Sequence, residues 1–277
     1  MNTSNTTTEQ SLIDMLVAQF AALPQVAAIA LGSSRCSGAA DAASDIDIYI
    51  YTRGAIALAE RQAIQAATGG ASVANMGMTF WGDGDEWIDA ASGVGIDLIY
   101  FDAAWMKDQL GRVLDQHLPQ GGYTTCFWRT VREGQIVFDR DGWLPRLQQH
   151  SQQAYPEPLR RAIIAHNYPV LRHTISSYRN QIARAIARQD FVSLNHRVAA
   201  LCASYFDIIF ALNRVLHPGE KRLLALAQRE CALLPTGFAV NLAAVLHAAG
   251  TEPEQLVGAV DVLLDQLDAL LAQEGMV

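Results

Sequence analysis

The sequence predicts an α+β chain in two parts: a mixed β-sheet domain with flanking helices over residues 1–150, then an all-α helical bundle over 151–277. Three observations carry that prediction. Ser44 to Thr52 (SDIDIYIYT) alternates strictly, with Asp45, Asp47, Tyr49 and Tyr51 facing one way and Ile46, Ile48 and Ile50 the other, the two-residue period of a strand. From Pro156 onward the apolar spacing becomes helical, and no strand pattern follows about residue 140. Pro145, Pro156 and Pro158 cluster where the two patterns meet.

Taken in order, Leu12, Ile13, Leu16, Phe20 and Leu23 have helical spacing, and Pro24 stops that helix. Val26 to Leu31 is a short apolar run ending at Gly32-Ser33-Ser34, a buried strand entering a turn. Ala55 to Ala67 is Ala-rich and helical. Gly93 to Tyr100 (GVGIDLIY) is a third strand, followed by a helix over about 103–117. The acidic run from Asp83 to Asp89 is read as a solvated hairpin turn, because it lacks the glycine step and terminal Glu of a calcium loop. The segment 119–150 is mixed and unassigned. Asn195 to Leu216 carries Val198, Leu201, Tyr205, Ile208, Ile209, Leu212 and Val215 on one helical face, so Tyr205, Phe206 and Phe210 are expected in the core. Three amphipathic pieces complete the chain near 220–233, 237–248 and 253–273.

Composition narrows the function. Hydrophobic residues make up 51% of the 277 and charged ones 17%, which suits a packed core. Neither of the two longest apolar stretches, Leu16 to Ser34 and Cys231 to Thr251, is apolar throughout, so no membrane span is expected. Four separated cysteines without a CxxC pair, and no Lys or Arg before Arg35, point to a cytoplasmic, reduced chain. A formal charge of −8 argues against a nucleic-acid partner. That charge is uneven: residues 1–128 hold 14 acids and 5 bases, 154–232 hold 5 acids and 11 bases, and 233–277 hold 6 acids and no base. An acidic first half and a basic middle suit a metal–triphosphate site as well as they suit two solvated surfaces.

The chemistry concentrates in one constellation. Asp45 lies twelve positions after Ser33; Asp47 shares its face of the strand, and Asp97 lies inside the next predicted strand. Carboxylates at i and i+2 are about 7 Å apart along a strand, and their repulsion and desolvation are costly unless a cation offsets them. Three oxygen donors suit Mg²⁺, with two ions expected: one held by all three acids to activate a hydroxyl, one held by Asp45 and Asp47 to orient a triphosphate. The Gly32-Ser33-Ser34 turn offers N–H groups and hydroxyls to phosphates, and Arg35 follows it. Lys221, one of two lysines, lies in the turn Pro218-Gly219-Glu220-Lys221-Arg222 and is a second phosphate-contact candidate. Glu133 is a further acid with nothing to position it.

The order strand–GSS–spacer–SDIDIYI, with an acid in a later strand, resembles the polymerase-β-like nucleotidyltransferase superfamily. The helical half resembles the branch containing aminoglycoside and lincosamide nucleotidyltransferases. The segments YTTCFWRTVREGQIVFDR and SYFDIIFALNRVLHPGEKRLL are similar to a bacterial group of nucleotidyltransferase-domain proteins without established substrates. The resemblance rests on residues 31–101, and its Gly-to-acid spacer is longer than in the most compact members. It implies an enzyme that uses Mg²⁺ and a nucleoside triphosphate, with ATP the expected donor, to modify a hydroxyl of a small molecule such as an antibiotic. In that family Ser33 would bond the triphosphate, with Ser34 as an alternative helix cap. A regulatory nucleotide-binding or AMPylating protein of toxin–antitoxin type stays open as the alternative, and the apolar final helices allow a homodimer.

Overall fold

The computed structural model describes residues 3–32, 45–80 and 82–277. The chain divides into two compact units, Met1–Leu110 with Thr130–Gln153, and Gly111–Arg129 with Ala154–Val277. The fold is α+β, as the sequence predicts.

In the first unit, β1 (Val26–Leu31), β2 (Ile46–Thr52), β3 (Ala71–Met78), β4 (Gly84–Asp89), β5 (Gly95–Asp102) and β6 (Gln135–Asp139) form a mixed sheet in the order β3-β4-β5-β2-β1-β6. Only β2 and β5 run parallel among these neighbours. Helices α1 (Thr3–Ala22) and α2 (Leu58–Ala67) bury one face of this sheet. Leu12, Ile13, Leu16 and Phe20 of α1 meet Ile46, Ile48 and Ile50 of β2 and Ile96 and Leu98 of β5 there, all nearly inaccessible to water. The isoleucine alternation therefore sets which face is core, and the Asp and Tyr positions take the opposite one. Helix α3 (Ala103–Leu114) follows β5, and α4 (Cys126–Glu133) precedes β6. Helix α5 (Trp143–Ser151) packs on β6 and β1.

The segment 83–89 is not a solvated hairpin turn. It forms β4, and Asp85 is fully buried on the helix-covered face. Its carboxylate accepts from Arg61 Nη1 at 3.2 and 3.3 Å, from the Tyr100 hydroxyl at 2.6 Å and from the Gly77 N–H at 2.6 Å. A bulge between Met76 and Met78, with Gly77 at φ 74°, turns that N–H inward. The buried charge thus has a cation and three kinds of donor, which is the condition for burying it at all. Asp89, also buried, accepts from the Ser92 N–H and hydroxyl and closes the β4–β5 turn.

The second unit is helical: α6 (Glu157–Arg172), α7 (Tyr178–Ala187), α8 (Phe191–Leu212), α9 (Leu223–Glu230), α10 (Phe238–Thr251) and α11 (Pro253–Gln273). Helix α8 packs against α6 and α7, and α10 against α11. Tyr205, Phe206 and Phe210 lie in its core, as their spacing predicts. Part of the basic excess of residues 154–232 is matched within this unit: Arg172 pairs with Asp265 and Asp268, and Arg179 with Asp261, all acids of the base-free tail.

The sequence boundary at 150/151 lies three residues before the observed one at 153/154, and residues 111–129 belong with the helical unit. The reason is a buried polar clamp. Asp207, in mid-α8 and 1% exposed, accepts from the Thr124 N–H at 3.1 Å and the Thr124 hydroxyl at 2.7 Å, and from Asn167 Nδ2 at 3.2 Å. His217 N–H donates to Thr125 Oγ1 at 2.7 Å, and Arg129 reaches Leu216 O and Glu230. Gly122 passes so close to α8 that a Cβ would stand 2.9 Å from that of Ala203. Among the described residues no helix is long and apolar enough to cross a membrane, and Cys126, Cys202 and Cys231 are free thiols.

Burial pushes the Asp207 carboxyl up from 3.8 to about 7, against the lowering effect of its hydrogen bonds. The folded chain then holds this proton more tightly than the unfolded chain, so the stability contributed by protonation is complete below 3.8 and lost as pH rises through about 7. Asp207→Asn keeps an acceptor for the Thr124 N–H but has no proton to lose. Urea unfolding of wild type and this variant from pH 4 to 8 should show the stability gap moving in favour of the variant as pH rises. Asp207→Ala leaves the Thr124 N–H unmatched and the Thr124 hydroxyl with Gln120 O at 3.5 Å, and should cost about 2–4 kcal/mol at any of these pH values.

Candidate functional site

The parallel register of β2 and β5 runs from Ile46↔Ile96 to Thr52↔Asp102 and sets Asp47 directly beside Asp97. Both are half-buried on the face opposite α1 and α2. On the other side of β5, the antiparallel register sets Glu86 beside Asp97, and Asn75 beside Glu86. One row across the sheet therefore reads Asn75, Glu86, Asp97, Asp47. Asn75 Nδ2 donates to Glu86 Oε1 at 2.7 Å, and Glu86 is otherwise on an exposed surface. Neighbouring strands lie about 4.8 Å apart, so this row sets like charges side by side, an arrangement sheets disfavour.

Two glycines make room for the acids. Gly32, where β1 ends, donates its N–H to Asp47 O at 2.9 Å. A Cβ there would stand 2.8 Å from Asp47 Cβ and 3.4 Å from both Asp47 Oδ2 and the Tyr49 hydroxyl. Asp45, one alternation before Asp47, leans over Gly95, where a Cβ would meet its Oδ1 at 2.0 Å. Asp45 thus inclines toward β5 and Asp47 toward the end of β1. Among the described residues no group of three or more His, Cys, Asp or Glu closes into a metal-binding arrangement. The structure brings Asp47 and Asp97 together and sets Asp45 on the same strand face beside them, over Gly95.

Tyr49 continues this face. Burial, then the charges of Asp47 and Asp97, push its hydroxyl up to about 12. Its ring lies 5.8 Å from that of Phe101, which stacks on Tyr51 at 5.9 Å and on Trp105 at 6.0 Å with 8° between the planes. Tyr51 in turn meets Trp143 of α5 at 5.3 Å, so the acids border an aromatic cluster that fixes Tyr49 from behind.

The remaining candidates separate cleanly. Asp102 is exposed at the end of β5, and its Oδ1 accepts from the Trp105 N–H at 2.8 Å, an N-cap for α3. Ser33, Ser34 and Arg35 lie outside the described residues. Lys221 belongs to the second unit, exposed in the turn before α9. Glu133 is exposed at the last residue of α4. Sequence reasoning missed Glu86 and Asn75 as members of the acidic row. The available signal was the two-residue alternation in Asp85-Glu86-Trp87-Ile88-Asp89, concealed because its buried face carries two aspartates.

Comparison with known proteins adds two similarities. A family model described as a domain of unknown function (DUF4037) matches residues 127–223. A crystal structure of a nucleotidyltransferase-like protein from Exiguobacterium sibiricum 255-15 is similar at 13% identity and a TM-score of 0.44, over 96% of this chain and 75% of that one. No curated protein matches.

Gly32→Ala and Gly95→Ala test whether the glycines make the room. Each new methyl would enter the van der Waals envelope of an aspartate, and Gly32→Ala would also press on the Asp47 Cβ within the strand. Thermal unfolding should report a loss of about 1–3 kcal/mol for Gly32→Ala. Gly95→Ala should cost less, because the Asp45 carboxylate can rotate away.

Proposed function

We propose that this protein is a magnesium-dependent nucleotidyltransferase, moving a nucleoside monophosphate from a nucleoside triphosphate to a hydroxyl of a small acceptor. The observation that carries this reading is the in-register pair of Asp47 and Asp97 on the open sheet face, backed by Gly32 and with Asp45 beside it. Structural needs alone do not call for three carboxylates on one sheet face next to two glycines that clear space for them.

The donor set fits a hard divalent cation: every candidate ligand is a carboxylate oxygen, and the glycines leave the acids free of backbone crowding. Asp47 and Asp97 would hold it, with Asp45 as the third donor. Bound there, one or two magnesium ions supply neutralisation of triphosphate charge and acidify the attacking hydroxyl.

The chain's own residues then divide the work. The acceptor oxygen forms a bond to the α-phosphorus while the bond from that phosphorus to the pyrophosphate oxygen breaks, and the hydroxyl proton goes to a carboxylate. Glu86 is suited to take that proton. It lies one strand beyond Asp97 on the same face, exposed, and the Asn75 amide holds it in orientation. Gly32 keeps the end of β1 close to Asp47, and Ser33, Ser34 and Arg35, which follow it in the sequence, are the phosphate-contact candidates of the proposal. ATP is the donor to try first, and aminoglycosides and lincosamides are the acceptors.

Incubation with Mg²⁺, labelled ATP and an acceptor panel tests the proposal through label transfer and pyrophosphate release. Asp47→Asn and Asp97→Asn should each abolish transfer. Glu86→Gln should retain nucleotide binding and lose turnover by about 10²–10⁴-fold. Transfer unchanged in Asp47→Asn defeats the mechanism. Mg²⁺-dependent nucleotide binding without transfer to any acceptor favours a regulatory or protein-modifying role for the same site.

A further inference from the structure

Tyr49 lies on the acid-bearing face, next to Asp47 in the strand alternation, and the proposed chemistry has not used it. It stands on β2 two residues after Asp47, so its side chain leaves the same face of the sheet. Its hydroxyl and Asp47 Oδ2 both lie 3.4 Å from the point where a Gly32 side chain would begin. The hydroxyl therefore turns back along the strand, toward the acids and the end of β1. The ring cannot easily swing off, because Phe101 flanks it at 5.8 Å and is itself stacked between Tyr51 and Trp105.

This position gives the acid-lined face something its carboxylates cannot supply. Asp45, Asp47, Asp97 and Glu86 are acceptors when ionised, and a phosphate is an acceptor too. A phenol hydroxyl brings one proton to donate, without adding charge. It is also rigid: two side-chain torsions position it, and the neighbouring rings restrict both.

Resting on the nucleotidyltransferase reading, we infer that Tyr49 is a substrate-contacting residue whose hydroxyl donates a hydrogen bond to a phosphate oxygen of the nucleoside triphosphate. Its place beside Gly32 puts that contact at the phosphate end of the nucleotide. The aromatic cluster behind it is then the support that holds the donor still. Ring packing and phosphate contact are separable, since Tyr49→Phe removes the hydroxyl alone.

Titration calorimetry on the full chain with Mg²⁺ and inorganic tripolyphosphate, and separately with Mg²⁺ and ATP, tests this. Tyr49→Phe should weaken both by about 10-fold or more, the loss expected for a hydrogen bond to a charged group. Thermal unfolding and binding of Mn²⁺ alone, followed by its electron paramagnetic resonance, should stay as in wild type. Three results overturn the inference. Equal tripolyphosphate affinity in wild type and Tyr49→Phe makes the tyrosine a packing residue only. Weakened Mn²⁺ binding, to the same degree as the loss of tripolyphosphate, makes the hydroxyl an orienting partner of Asp47 instead. Wild type binding neither tripolyphosphate nor ATP removes the nucleotidyltransferase reading and this inference with it, which distinguishes the two failures.

Discussion

The site depends on the register between β2 and β5. That register is set from behind, by isoleucine and leucine side chains that α1 and α2 cover, and it delivers Asp47 next to Asp97 on the other face. A slip of one residue would carry the aspartates into the apolar layer and the isoleucines into water. The apolar gain on one face therefore holds together a charge arrangement on the other that would not assemble for its own sake. The apolar core and the carboxylates take opposite faces of the same strands, and the alternation of residue types keeps them apart.

The same division explains the two kinds of buried carboxylate. Asp85 is inside and matched by an arginine, a phenol and a backbone N–H. Asp207 is inside and held by hydroxyl, amide and backbone donors, and its affinity for a proton rises with its burial. Asp47 and Asp97 differ from both in lying half-exposed beside each other on the open face. Burial alone does not set Asp47 and Asp97 apart; like charge at close register on an accessible face does.

How much of this was legible in the sequence follows from where polarity obeys the strand period. In β2 it does: aspartates and tyrosines alternate with isoleucines, so the strand, its core face and the positions of Asp45 and Asp47 could all be read. β5 was legible as a short apolar run with Asp97 inside it. β4 was not, because its inward positions are Asp85, Trp87 and Asp89 while Ile88 faces out, the reverse of a solvated strand. A salt-bridged interior aspartate looks like a surface residue to any reading based on hydrophobicity. With β4 missed, Glu86 and Asn75 had no place in the acidic row. The 111–129 segment was assigned with the sheet because the contacts that hold it, from Thr124 to Asp207 and from Arg129 to Glu230, span long stretches of chain and leave no local pattern. That Asp45, Asp47 and Asp97 share one sheet face was legible, but the lean of Asp45 over Gly95 is a matter of side-chain geometry that no spacing reveals.

Parallel strands cannot be joined by a tight turn, and between β2 and β5 the chain runs through α2, β3 and β4 before it returns. Asp47 and Asp97 thus meet only after a long excursion has been organised, and the loop-closure cost is met before their strands zip together. During synthesis the first acid leaves the ribosome well before the strand that completes the pair. A chain made only as far as β2 therefore carries the first acid without the strand that sets the second beside it.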